Sequence, residues 1–177
     1  MDGKRWAAFL RGITPMNAKM SELARAFEAA GFEDVSTVIS SGNVVFTARS
    51  SSTSALQRTA EKAMQEGLGR TFLTIARPIA DLRALIESDP YASFRLRAGS
   101  KRVVTFLHEP CPLKLKLPWE KDDARILRAT DTEVLSAYVP NPNIGGLFMK
   151  VLEEACGKDQ TTRTWDTVVK VVKRGEG

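Results

Sequence analysis

Val35-Ser36-Thr37-Val38-Ile39-Ser40-Ser41-Gly42-Asn43-Val44-Val45-Phe46-Thr47 is the stretch on which the fold turns. Two runs rich in β-branched residues, Val35 to Ser40 and Val44 to Thr47, flank Ser41-Gly42-Asn43, whose Gly and Asn tolerate the positive φ angles of a tight turn. The stretch therefore predicts a β-hairpin. Upstream, Met20, Leu23, Phe27 and Ala30 repeat at helical spacing and Gly31 stops the helix. Before them, Trp6 to Leu10 is a short apolar run that reads as a buried strand, followed by a loop from Ile13 to Lys19. Downstream, Thr53 to Leu68 has a Ser/Thr-rich entry suited to an N-cap and an apolar face of Leu56, Ala60, Met64 and Leu68. Phe72 to Ala76, closed by Pro78, is a fourth strand. The order β-α-β-β-α-β is the ferredoxin-like pattern of an α+β domain.

The second half repeats this imperfectly. Leu82, Leu85 and Ile86 predict a short helix ended by Asp89-Pro90, and Val103 to Leu107 a strand. Pro110 to Lys121 is a Pro- and Lys-rich connection in which Leu113, Leu115 and Leu117 alternate with lysines, as in an edge strand protected by charge. Ile126 to Ala129 and Val134 to Val139 pair across Thr130 to Glu133, and Leu147 to Cys156 is a helix stopped at Gly157. A last helix runs from about Arg163 to Lys173, with Trp165, Val168, Val169 and Val172 inward. The expectation is two similar ferredoxin-like subdomains, residues 1–78 and 79–177, the second imperfect and carrying a C-terminal helix.

The bulk numbers agree with a folded core. The chain has 177 residues, 43% hydrophobic and 27% charged, and a net charge of +5 from 26 Lys and Arg against 21 Asp and Glu. That excess favours anionic partners, although a charge of this size also serves solubility alone. Cys111 and Cys156 are far apart in sequence and the one histidine, His108, completes no Cys/His zinc set, so no metal is read. Two reduced thiols behaving as small hydrophobes, with no signal-peptide pattern and no apolar run of membrane-spanning length, predict a cytoplasmic protein without a membrane partner.

Three segments carry a resemblance. Phe9-Leu10-Arg11-Gly12-Ile13 with the helix from Met20, the run Val38 to Phe46, and the tail Thr162-Arg163-Thr164-Trp165-Asp166-Thr167-Val168 resemble, in order and spacing, the bacterial domain-of-unknown-function family 1697. The resemblance implies an α+β fold of two similar subdomains and no activity. The chain departs from the family pattern at Thr14-Pro15-Met16-Asn17-Ala18-Lys19, where a glycine-rich basic loop is usual. It departs again at Asn141 to Phe148, where Pro-Asn-Gly, a small residue and Ser-Lys are usual, and at Asp166, where Asn is usual. If those loops bind an anion in relatives, part of the equipment is missing here.

Topology singles out the candidate site. In a β-α-β-β-α-β unit, the loop after the first strand and the tip of the following hairpin lie at one end of the sheet. Arg11, Asn17, Lys19, Ser41 and Asn43 are thereby expected to converge beside a helix N-terminus and to hold a phosphate or carboxylate. The plainer alternative is that Arg11 ties down its own loop and Gly42-Asn43 merely turn the chain. Asn143, Gly145, Gly146 and Lys150, on a loop entering a helix, and Arg163 near the tail are secondary candidates. The loop lacks the lysine and hydroxyl of a P-loop.

No catalytic residue is assigned. His108 ends a strand without a partner visible in sequence, neither cysteine has a setting that predicts a thiolate, and no cofactor is implied. Lys114, Lys116, Lys121, Arg95, Arg97, Lys101 and Arg102 with Tyr91, Phe94 and Trp119 outline a single-strand nucleic-acid surface, but the RNA-recognition motif is absent. Three functions follow as expectations: a non-catalytic binding protein for a small phosphorylated or carboxylated ligand, a nucleic-acid-binding domain, or an enzyme with an unassigned site.

Overall fold

The computed structural model describes residues 3–49, 51–141 and 146–177. It is a mixed α+β fold with two antiparallel sheets and five helices. The chain forms two compact units, one of residues 1–88 with 169–177 and one of residues 89–168.

In the first unit, β1 (Lys4–Leu10), α1 (Met20–Ala29), β2 (Glu33–Thr37), β3 (Asn43–Ala48), α2 (Thr53–Leu68), β4 (Thr74–Pro78) and α3 (Ile79–Glu87) follow in order. The strands pair as β2-β3-β1-β4. Because side chains alternate along a strand, Trp6, Ala8 and Leu10 share one face with Val44, Phe46 and Ala76 and pack on Leu23, Phe27, Leu56 and Met64 of the two helices. Phe32 and Phe46 lie 4.5 Å apart by ring centroid, with Phe27 5.5 Å from Phe46. Ala7, Phe9, Val45 and Ile75, on the opposite face, are also buried. The Ser52 hydroxyl accepts the Ala55 N–H at 3.1 Å and caps α2, as the Ser/Thr-rich entry predicts. On edge strand β4, the outward Ala76 N–H donates to the Gln57 side chain of α2 at 3.0 Å, so the edge is partly closed.

The second unit holds β5 (Lys101–Leu107), β6 (Trp119–Lys121), β7 (Ala124–Ala129), β8 (Glu133–Tyr138), α4 (Leu147–Cys156), β9 (Gln160–Thr164) and the start of α5 (Trp165–Glu176), whose residues from Val169 belong to the first unit. Its strand order is β6-β7-β8-β5-β9. Val103, Leu107, Ile126 and Val134 pack on Phe148 and Leu152 of α4.

Several expectations change. Arg163 starts no helix: Gln160 to Thr164 is a strand on β5, missed because it holds no apolar residue. Leu113, Leu115 and Leu117 do pack on the core, but residues 110–118 form no ladder, and the edge strand is the short β6 beyond them. Helix α3, assigned by sequence to the second half from residue 79, lies in the first unit, which extends to Ser88. Cys111 and Cys156 are joined in a disulfide across 45 residues, tying the 108–118 connection to the end of α4. This overturns the reading of reduced thiols and removes that ground for a cytoplasmic placement. Among the described residues, no helix is long and apolar enough to cross a membrane.

The central strands of the two units share local features. β1 reads Lys-Arg-Trp-Ala-Ala-Phe-Leu and β5 reads Lys-Arg-Val-Val-Thr-Phe-Leu, with the same burial along both. The Leu10 N–H donates to the Gly42 carbonyl and the Leu107 N–H to the Thr132 carbonyl, each at 2.8 Å. The next residue in each case bonds the chain entering the last strand, Arg11 to Leu73 at 3.0 Å and His108 to Asp159 at 2.9 Å. Arg77 and Arg163 hold matching registers, opposite Ala7 and Val104.

Candidate functional site

The rim of the first sheet is built by β1 ending at Leu10, where the backbone bond to Gly42 joins the opening loop to the hairpin tip. Gly42 has φ +82°, and a Cβ there would lie 2.8 Å from Ile13 Cγ1 and 2.9 Å from Ile13 Cβ. The two loops therefore touch, as the topology predicts. The tip is longer than the sequence suggests: β2 stops at Thr37, and Ile39 takes φ +50° within residues 38–42. A β-branched residue in the left-handed region is strained, and Ile39 is 46% exposed. Met16, on the facing loop, is 94% exposed.

The five predicted residues lie on these two loops and do not have one role. Asn43 is fully buried, and its amide donates to the Val38 carbonyl at 3.0 Å and to the Ser41 hydroxyl at 2.9 Å. It holds the hairpin tip. Asn17 holds the opening loop, accepting from the Thr14 N–H and donating to the Gly12 carbonyl, both at 2.8 Å. Arg11 is half-buried, and Lys19 is exposed at the N-cap of α1, where no side chain caps the helix and Glu22 is the first-turn acid. The rim also gains Arg70, whose guanidinium lies 5.0 Å from the Phe72 ring centroid on the segment that enters β4. Sequence reasoning missed it. The signal was available, because β4 runs antiparallel to β1 and so starts where β1 ends.

The secondary candidates do not gather. Asn143 and Gly145 lie outside the described residues. Gly146 is the N-cap of α4, its carbonyl accepting the Lys150 N–H at 3.1 Å, and the Lys150 side chain is exposed. Arg163 is buried in β9, donating to the Thr161 hydroxyl at 2.7 Å and the Thr162 carbonyl at 3.0 Å. Burial pulls its pKa down to about 10, so it stays cationic at neutral pH.

The His108 ring lies 3.3 Å from the Glu109 carboxylate, because the strand ends at Leu107 and the two side chains can turn together. Of the aromatics in the basic middle segment, Tyr91 is buried, donates to the Val103 carbonyl and packs edge-on against Trp165. Arg128 covers Phe94 at 5.7 Å, and Trp119 packs on the core of its unit. These rings are engaged within the protein. Among the described residues, no group of three or more His, Cys, Asp or Glu is arranged to hold a metal.

A family model described as "Protein of unknown function (DUF1697)" matches residues 4–130. A solved structure, "The structure of conserved bacterial protein SP0830 from Streptococcus pneumoniae", shares the fold at a TM-score of 0.71, with 20% identity over 99% of each chain. No curated protein matches.

Proposed function

Since the chain belongs to the protein family of unknown function DUF1697, which carries no activity with it, the site itself must supply the reading, and we propose a non-catalytic binding protein for a small phosphorylated or carboxylated ligand. The ligand sits on the rim of the first sheet, within reach of Arg11, Lys19 and Arg70. The observation that carries this is the 2.8 Å bond from the Leu10 N–H to the Gly42 carbonyl, which joins the opening loop to the hairpin tip beside the start of α1. Three cations then border one edge, and the helix end adds partial positive charge where no side chain caps it. Ser41 lends a hydroxyl, while Asn17 and Asn43 fix the loops. We read both units as ferredoxin-like. The order β2-β3-β1-β4 supports this for the first, and β7-β8-β5-β9 with an added β6 and no helix after β5 supports an imperfect second.

The test is thermal denaturation with inorganic phosphate and citrate as probes. Binding to the folded state raises stability by about 2.7 kcal/mol at a hundredfold excess over Kd, a shift of several degrees at this chain length. Arg11→Ala and Lys19→Ala are expected to remove the shift, and a shift retained in Arg11→Ala refutes the site. Affinity for a single-stranded oligonucleotide that falls steeply between about 50 and 200 mM salt points instead to nucleic-acid binding.

A further inference from the structure

A second concave surface lies in the first unit at the other end of β1, where Lys4 and Arg5 begin the strand. There α3 and the last turns of α5 border a cavity of about 670 Å³. That size falls within the range of small-molecule sites. Its floor is apolar: Ile79 and Val172 are buried, and Ile86 and Val169 are half-buried. The two helices pinch together at Gly175, where a Cβ would lie 2.5 Å from Ile79 Cδ1, so the backbone itself forms part of the wall. The border carries Lys4, Arg5, Arg83 and Lys173 against Glu87 and Glu176, four cations to two acids.

These charges are not equally committed. Arg83 pairs with Glu176. Arg5 donates to the Gly175 carbonyl at 2.9 Å, the Asp34 carbonyl at 3.0 Å and the Thr47 hydroxyl at 3.1 Å. Lys4, on the same face of β1 as Trp6, holds its ammonium 5.2 Å from the Trp6 ring centroid, on the α1 and α2 side of the sheet and away from the groove, whereas the partners of Arg5 are neutral and leave it a full charge. Lys173 is exposed and makes no ion pair among the described residues. An apolar floor bordered by the Lys173 ammonium and the Arg5 guanidinium matches a molecule with an apolar body and an anionic head.

We propose that this groove binds a small aliphatic carboxylate, its chain on Ile79, Ile86, Val169 and Val172 and its head facing Lys173, with the Arg5 guanidinium adding positive charge. The site is independent of the rim. The experiment is a methyl-detected NMR titration of the full chain with octanoate, octylamine and acetate. Octanoate is expected to shift the Ile79 and Val172 methyls saturably and to bind at least about tenfold tighter than octylamine, while acetate leaves these methyls unmoved. Lys173→Glu, a surface change, is expected to weaken octanoate about tenfold without weakening octylamine. Ala80→Trp, from another exposed position on the border, is expected to block both. Octylamine binding as tightly as octanoate, shifts confined to other methyls, or no saturation by about 10 mM would each overturn the proposal.

Discussion

Gly42→Ala places a methyl group where the hairpin tip meets the opening loop. Two costs add. The residue has φ +82°, a region that costs a non-glycine residue about 1–2 kcal/mol. The new Cβ then falls 2.8–2.9 Å from Ile13 and 3.2 Å from Leu10 Cβ. The Ile13 Cβ is fixed to its backbone and cannot swing aside, so the loop itself must move, an overpacking worth about 1–3 kcal/mol. The total is about 2–5 kcal/mol, which for a chain of this length lowers the melting temperature by roughly 5–15 °C. Gly12→Ala is the control. Gly12 has φ +85° but nothing within 4 Å of its Cβ position, so only the backbone cost of about 1–2 kcal/mol remains. Urea melts of the two variants followed by circular dichroism separate the terms, the difference between them being the contact between the loops. Equal destabilisation of the two variants would mean that the tip and the loop do not touch, and the rim would lose its basis.

Cys111→Ser, or addition of a dithiol reductant, opens a closure of 45 residues and is expected to cost about 4 kcal/mol in urea-induced unfolding; an unchanged midpoint would refute a formed bond. Tyr91→Phe removes a buried donor to the Val103 carbonyl and is expected to cost about 1 kcal/mol. Burial raises the Tyr91 pKa above its ordinary value, so the folded state holds the proton longer than the unfolded chain. The stability this gives is full below about pH 10 and is lost as pH rises further, so the wild type should show a steeper alkaline decline than Tyr91→Phe. Ile39→Gly relieves a positive φ of 50° at an exposed position and is expected to raise stability by about 1 kcal/mol, checked by the same urea melt.

The first unit was legible because its sequence signals agree with one another. Met20 to Ala29 and Thr53 to Leu68 carry the helical period, and the two β-branched runs frame a glycine at the one place where contact with Ile13 demands it. What sequence left unread follows from polarity and distance. Gln160 to Thr164 has no apolar residue, so nothing marks it as a strand until β5 is there to pair with it. The Cys111–Cys156 pairing depends on a tertiary approach that spacing cannot reveal. At the rim, the convergence of the loops could be argued from topology, but the duty of each amide could not. Asn43 turns inward because the tip leaves the Val38 carbonyl needing a donor, and Asn17 does the same for Gly12.

The two halves read differently in sequence yet share several local features. What both units keep is the central strand with its Lys-Arg start and Phe-Leu end, the backbone bond from its last residue to the hairpin tip, and a buried arginine two or fewer residues before the following helix. Arg77 donates to the Ala76 carbonyl at 2.9 Å and Arg163 to the Thr162 carbonyl at 3.0 Å, so the two side chains fold back on the strand in the same way. What differs is the connection after the central strand: nine residues and the helix α1 in the first unit, an irregular Pro-rich segment held by a disulfide in the second. That segment packs Leu113, Leu115 and Leu117 where a helix would otherwise supply its apolar face. The charge of the rim follows the same divide. The first carries Arg11, Lys19 and Arg70, whereas the corresponding turns of the second carry His108, Glu109, Asp131, Lys158 and Asp159. The acidic side chains therefore gather at the turns of the second unit and not at the loops of the first, which is the charge difference that an anionic probe would sense.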